Sequence, residues 1–387
     1  MRVARSKRTC IFNPSFKMAL KLTHLTTPVL FLATLLVLQL VPTALCHANR
    51  TVPSDPESNL DAWIALNMKQ YKQASKHSLL NNALFASLSK APMKIIKVRK
   101  DGAGDFKTVT DAVKSIPSGN SDRVIIYIAG GKYREQVVVD RSKPFVTFYG
   151  QKGNMPTITY DATAKKYGTW KSATVAIESS NFMAVNIIFE NSSPKPDPRK
   201  SDGQAVALRI SGDMAAFYNC RFIGFQDTLC DDVGRHLFEN CYIEGSVDFI
   251  FGNGKSLYRG TTIKSVAERL GVIAAQDMNG LSGDSGFVFV HCKILGTGDM
   301  YLGRAWKQTS RVVFAYTYMG SNINGGGWMK SQNQKNVFYG EYQCSGPGSS
   351  ASKRKFGKML SADQVKPFLS TSFIGGSQWL VPVPKIG

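Results

Sequence analysis

The octet "FYNCRFIG" (Phe217–Gly224) returns 21 residues later as "FENCYIEG" (Phe238–Gly245), and that return decides the fold. Three more copies align without gaps: "AVNIIFEN" (Ala184–Asn191), "FVHCKILG" (Phe289–Gly296) and "FAYTYMGS" (Phe314–Ser321). Their starts lie 33, 21, 51 and 25 residues apart. A strand-rich repeat with a basic period in the low twenties, lengthened by loops, predicts a solenoid whose coils stack one on another. The expected fold class is all-β, a parallel β-helix with short helices at its ends. Cys220, Cys241 and Cys292 share one column of the alignment, and Asn219 and Asn240 share the column before it. These columns read as ladders inside the stack, with a Cys220–Cys241 disulfide as the alternative.

Seven residues beyond the aligned cysteines come Asp227 in "GFQDTL" and Asp248 in "GSVDFIFG". Coils in register would place these carboxylates one strand spacing apart, roughly 5 Å. Two like charges that close do not both ionise freely, which separates their proton affinities. Gln204, Gln226 and Asp248 step by 22, so the two amides are expected on the same face as donors to an oxyanion. Arg304, in "YLGRAW", needs an anionic partner among small and aromatic neighbours, and Asp248 is the candidate. A structural ion pair bracing two coils is the plainer reading of that arginine.

The chain has 387 residues, 43% hydrophobic and 19% charged, which suits a folded protein with a sizeable core. Its formal charge is +21; without the six basic residues before Asn49, where no acidic residue occurs, it is +15. Such an excess fits a polyanionic partner or simple solubility. Arg2, Arg5, Lys7, Arg8, Lys17 and Lys21 precede the apolar run Pro28–Ala48, with small residues near its end. Residues 1–48 therefore read as a cleaved secretory signal, with an uncleaved signal anchor as the rival. Export turns the expected polyanion from nucleic acid to an extracellular polymer. Residues 49–93 form a short extension with a candidate helix at 60–75, and 94–382 form the main domain. Asn49-Arg50-Thr51 and Asn191-Ser192-Ser193 are glycosylation sequons, tripeptides that also arise by chance and so add little. Five cysteines follow the leader, none in a C-x-x-C pair, and histidines are few, so zinc is not expected.

"GKYREQV" (Gly131–Val137), "QAVAL" (Gln204–Leu208), "GFQDTL" (Gly224–Leu229), "DFIFG" (Asp248–Gly252) and "LGRAW" (Leu302–Trp306) resemble, in order and spacing, the signature blocks of plant pectin methylesterases. With "VRKDGAGDFKTVTDAV" and "FIGGSQWL" at its edges, the resemblance spans about Lys94 to Pro382. It implies a right-handed parallel β-helix that removes C6 methyl esters from galacturonan without a cofactor or metal. It also implies the roles: Asp248 as nucleophile, Asp227 as general acid then base, Gln204 and Gln226 as oxyanion donors, and Arg304 orienting Asp248. Phe251, Trp306 and Trp328 would offer apolar faces to sugar rings, at least one of them, Phe251 first, being a core aromatic instead. The enzyme would be secreted to the cell wall and monomeric, with methylesterified homogalacturonan as substrate and a proteinaceous inhibitor as a candidate partner. Cys230 stands where many members carry tyrosine, which would alter subsite preference. The 49–93 stretch is too short for the inhibitor-like region of many plant members.

Other classes fit less well. No G-x-S-x-G occurs, which disfavours a serine esterase. "GNGKS" (Gly252–Ser256) lacks the first glycine of a phosphate loop, and "SKRKFGK" (Ser352–Lys358) reads as a polyanion contact or a solvated run. A pectate lyase would want carboxylates set for calcium, and a polygalacturonase would cut chains. A silent pectin-binding β-helix would have no need of the paired aspartates.

Overall fold

The computed structural model describes residues 94–197, 202–278, 283–331 and 334–384. The proposed export segment, the extension and its helix, Cys10, Cys46 and the Asn49 sequon lie outside the described residues.

Among the described residues every paired strand runs parallel, and sheet order follows chain order. One sheet has eleven strands, from Lys94–Val98 through Ala215–Tyr218 and Arg235–Glu239 to Lys358–Met359. The other has thirteen and two arms. One arm passes through Arg221–Ile223 and Tyr242–Gly245, the other through Leu208–Ile210, Leu229–Asp231 and Val247–Gly252. The arms meet in the long strand Thr262–Gln276, whose register shifts between Val266 and Leu270 where it turns the corner. Each coil thus gives one strand to each of three faces, the right-handed parallel β-helix expected from the repeat.

The first repeat position points inward. Phe217, Phe238, Tyr258, Phe289 and Phe314 stack with centroids 4.8, 4.6, 4.6 and 4.5 Å apart and planes within 17°. Strand spacing imposes this face-to-face stack, although free aromatic pairs prefer offset or edge contacts. Tyr258 reveals a coil that the octets miss. "YRGTTIKS" (Tyr258–Ser265) lies inside the 51-residue gap, pairing with both neighbours in the same register.

The asparagine column is a turn. Asn186, Asn219, Asn240, Gly260, His291, Tyr316 and Gln343 all have φ between 45° and 62°. Asparagine tolerates this left-handed region better than most residues. From Asn186 through Tyr316, each amide donates to a carbonyl of the following coil at 2.9–3.1 Å. From the Asn240 turn onward, the next residue carries a thiol or hydroxyl that reaches the aromatic position of the preceding coil. Cys241 donates to the Phe217 carbonyl, Thr261 to Phe238, Cys292 to Tyr258, Thr317 to Phe289 and Cys344 to Phe314, at 3.3–3.5 Å. All five described cysteines are free, so the Cys220–Cys241 disulfide is not formed. Burial pushes the thiols of Cys220, Cys292 and Cys344 up to about 12, which leaves them unreactive at neutral pH.

The first coils and one outer face are covered. Thr108 caps the helix Val109–Lys114 by accepting from the Asp111 amide, and Val109, Ala112 and Val113 bury themselves at helical spacing over the first coils. On the eleven-stranded sheet, outward Ala216, Leu237, Leu257, Val288 and Val313 pack beneath Val365, Phe373 and Ile374 of the C-terminal turns.

Asn191 corrects one expectation. Its side chain is 3% exposed and donates to the carbonyls of Ala162, Ser172 and Val206 at 2.9–3.2 Å, so the folded protein has no amide there for a glycan. The peptide bearing Asn191 should show unglycosylated mass in secreted protein. Asn191→Ala should cost about 2–3 kcal/mol by stranding buried carbonyls, measured by denaturant unfolding.

Candidate active site

Asp227 and Asp248 occupy equivalent bends on consecutive coils, where the chain turns into strands Leu229–Asp231 and Val247–Gly252. Both are left-handed, with φ of 62° and 49°, and the Asp227 amide donates to the Val247 carbonyl at 3.1 Å. Each bend costs about 1–2 kcal/mol for a non-glycine residue. Asp248 therefore lies in strand Val247–Gly252 at an irregularity, where the register shifts between Val247 and Ile250. Leu229 opposite Ile250 and Cys230 opposite Phe251 set the register that stacks the two aspartates.

Arg304 arrives from strand Lys293–Ala305, two strands beyond Phe251 in the same outward column, with Ala275 between them. The small alanine leaves room for the guanidinium to reach back. Its Nε donates to Asp248 Oδ1 at 2.8 Å and its Nη2 to Oδ2, a bidentate pair. Each carboxylate oxygen keeps a lone pair free. Asp227 has no such arginine clamp. Its burial, at 9% exposure, and then the charge of Asp248 push its carboxyl well above the usual range, while Arg304 pulls weakly the other way. Hydrogen bonding to Asp248 raises Arg304 further above its ordinary value. One carboxylate is clamped, and burial raises the proton affinity of its neighbour.

Gln204 bridges Gln226, the Ala205 amide donates to the Gln226 carbonyl at 3.1 Å, and both side chains are half-buried. The step of 22 holds between the glutamines, but the next coil repeats after 21, so Gln226 lies one residue ahead of the Asp248 level.

The aromatics divide. Trp306 is half-buried, meets Phe251 edge-on at 5.8 Å, and has the Lys307 ammonium 5.3 Å above its ring. Phe251 is 4% exposed and forms an outward apolar floor with Ala176, Val206, Cys230 and Ala275. Cys230 is thus a covered floor residue. Trp328 departs from expectation. It is 1% exposed, stacks on Tyr339 at 4.4 Å and donates its indole N–H to Glu341 at 3.0 Å, so no ring face is open to a sugar.

Two groups near the site escaped the sequence reading. Arg209 stands beside Cys230 in the floor column, pairs with Glu178 at 2.7 Å and lies over the half-exposed Trp170. A step of 21 back from Cys230 would have found it. Asp231 points inward and is wholly buried, contacting His236 Nδ1 at 2.6 Å and accepting from Tyr258, while His236 Nε2 donates to the Gly212 carbonyl at 3.0 Å. This network stiffens the strand that follows Asp227.

A family model described as Pectinesterase matches residues 95–377. "Probable pectinesterase 49" of Arabidopsis thaliana is 45% identical over 360 residues, covering 92% of this chain and 98% of that protein. "Pectinesterase 2" of Olea europaea is 41% identical over 356 residues, covering 91% and 96%. Among solved structures, the pectin methylesterase from carrot superposes with a TM-score of 0.70 at 31% identity, covering 76% of this chain and 98% of that one.

Proposed function

The chain belongs to the pectinesterase family and hydrolyses the methyl esters of pectin; from that premise we propose that Asp248 is its nucleophile and Asp227 its general acid and base. One observation carries the assignment: of two stacked carboxylates, only Asp248 is gripped by Arg304.

A free lone pair of Asp248 attacks the C6 ester carbonyl. The carbonyl electrons move to oxygen, towards the Gln204 and Gln226 amides, which stabilise the oxyanion. Collapse breaks the bond to the methoxy oxygen, which takes the Asp227 proton and leaves as methanol. A mixed anhydride between Asp248 and the sugar acid remains. Asp227, now ionised, takes a proton from water as its oxygen attacks the same C6. Collapse frees the Asp248 carboxylate and the galacturonic acid. Burial that raises Asp227 supports the first half of this cycle, and its place one strand from Asp248 in register supports the second. Trp306 is the aromatic with surface left for a sugar ring. On the same reading the chain is exported by residues 1–48, acts as a single chain in the wall, and has a protein inhibitor as a candidate partner.

The raised proton affinity of Asp227 has two measurable effects. Acylation requires its proton, so kcat should fall as pH rises through its raised pKa. Stability should also respond. Unfolded aspartate ionises near ~3.9, whereas folded Asp227 keeps its proton to higher pH. Its favourable contribution is full below the unfolded value and is lost as pH rises through the folded one. Asp227→Asn should therefore match the parent in Tm at about pH 4 and exceed it increasingly as pH rises, until the gain levels off. Methanol release from highly methylated pectin by the two proteins completes the test. A difference in Tm that is flat with pH, or undiminished release from the variant, would remove Asp227 from this role.

A further inference from the structure

One coil past Arg304, the outward face opens into a pocket of about 750 Å³, a size that holds small ligands in other proteins. Tyr301, Met329, Lys330, Lys353, Lys355 and Phe356 line it. Gly303 bridges Trp328 and the Met329 amide donates to the Gly303 carbonyl at 3.0 Å, so Met329 stands beside Arg304, roughly 5 Å along the stack. The pocket continues the floor that carries the carboxylate pair.

Its charge is one-sided. Lys330, Lys353 and Lys355 are exposed, and none forms an ion pair among the described residues. The acidic groups close by are already engaged. Asp299 accepts from the Asn324 amide at 2.8 and 2.9 Å, and Glu341 is buried under Arg354 and Trp328. The lysines are also held in place. Arg354 donates to Glu341 and to the carbonyls of Asn324, Gly325 and Gly348, which pins the segment at its middle. Lys353 ends the short helical turn Ala351–Lys353, Arg354 after it is extended, and the lysines on either side of this anchored arginine are both exposed. Gly327, at φ +70°, lets this arginine pass: a Cβ there would lie 2.5 Å from its side chain. The rings of Tyr301 and Phe356 supply apolar surface between the cations.

Resting on the pectin reading above, we infer that this pocket is a subsite for galacturonosyl residues whose ester has already been removed, their free carboxylates being held by Lys330, Lys353 and Lys355. Hydrolysis turns a neutral ester into an anion, so three unpaired ammonium groups three coils beyond Asp248, roughly 14 Å along the stack, distinguish product segments from substrate segments by charge. A chain de-esterified at Asp248 and advanced along the floor would find its new carboxylate matched.

The test compares the full secreted protein with the triple variant Lys330→Gln, Lys353→Gln, Lys355→Gln. A control variant changes Lys94, Lys97 and Lys152, exposed lysines on the first coils, to Gln. Binding of free oligogalacturonate is read by calorimetry, and methanol release is read on fully methylated oligomers and on half-methylated pectin. The pocket variant should bind oligogalacturonate about tenfold more weakly and lose its advantage on half-methylated pectin. Its rate on fully methylated oligomers should stay within about twofold of the parent's. Equal weakening in the control variant, unchanged binding in the pocket variant, or an equal loss on both substrates would overturn the subsite. Should the folded parent release no methanol at all, the esterase reading fails by itself, and the oligogalacturonate comparison still decides the pocket. Enhanced release on half-methylated pectin with no response to free oligogalacturonate would overturn a site that takes carboxylates from solution.

Discussion

Asp248→Asn should abolish methanol release, lowering kcat by about 10⁴-fold or more, the scale on which enzymes lose activity when a nucleophile is removed. An amide cannot open the covalent route. The oxygen of that amide would still accept from Arg304 Nε, but its nitrogen would face the Nη2 donor, so one of the two present bonds is lost. Arg304 stays partly solvated, its side chain 31% exposed, and the fold should survive. Circular dichroism and retained binding to pectin check that. Release equal to the parent's would assign the attack to water activated by Asp227 and leave Asp248 a structural partner of Arg304. A matching loss in Arg304→Met, with normal pectin binding, would add that the nucleophile works only when clamped.

Arg354→Ala should destabilise the protein by about 3–5 kcal/mol, the usual consequence of stranding one member of a buried ion pair. Arg354 and Glu341 have side chains 3% and 0% exposed and meet through two hydrogen bonds of 2.8 and 3.0 Å. Among the described residues, removing the guanidinium leaves the Glu341 carboxylate with the Trp328 indole alone and strands the Gly325 and Gly348 carbonyls, while that of Asn324 keeps the Gly327 amide. In thermal unfolding the loss corresponds to roughly 6–20 °C in a domain of this size. The double variant Arg354→Met, Glu341→Met should recover much of it, because no uncompensated charge remains. A drop of under 1 kcal/mol in Arg354→Ala would show that water reaches Glu341 and that the segment is not pinned there.

The paired aspartates were legible because the coil repeat carries a fixed offset from the inward cysteine to the bend, and both offsets are seven. What failed was wherever the offset was not fixed by a visible residue. The Tyr258 coil hid because Gly260 and Thr261 do the work of asparagine and cysteine, the glycine by conformational freedom and the threonine by its hydroxyl. The count of 22 misplaced Gln226 by one residue because bends absorb single residues without disturbing the strands. Trp328 looked like a binding aromatic because nothing in its own neighbourhood announces Gly357, where a Cβ would lie 2.4 Å from the indole nitrogen. Asn191 looked like a glycan acceptor because a tripeptide says nothing about which carbonyls its amide already serves.

Asp248 and Arg304 lie 56 residues apart in the chain, although they touch in the fold. On a ribosome extending at about 5–20 residues per second, the guanidinium is made roughly 3–11 seconds after its carboxylate. Coils can stack as they emerge, each resting on the one before, so both aspartates reach their bends while the clamp is still unsynthesised. The nascent protein therefore passes through a stage with two crowded acids and no cation between them. On the proposed roles, catalytic competence would be acquired at one late event, the docking of the strand that ends at Ala305, and a chain released before it would lack the clamp.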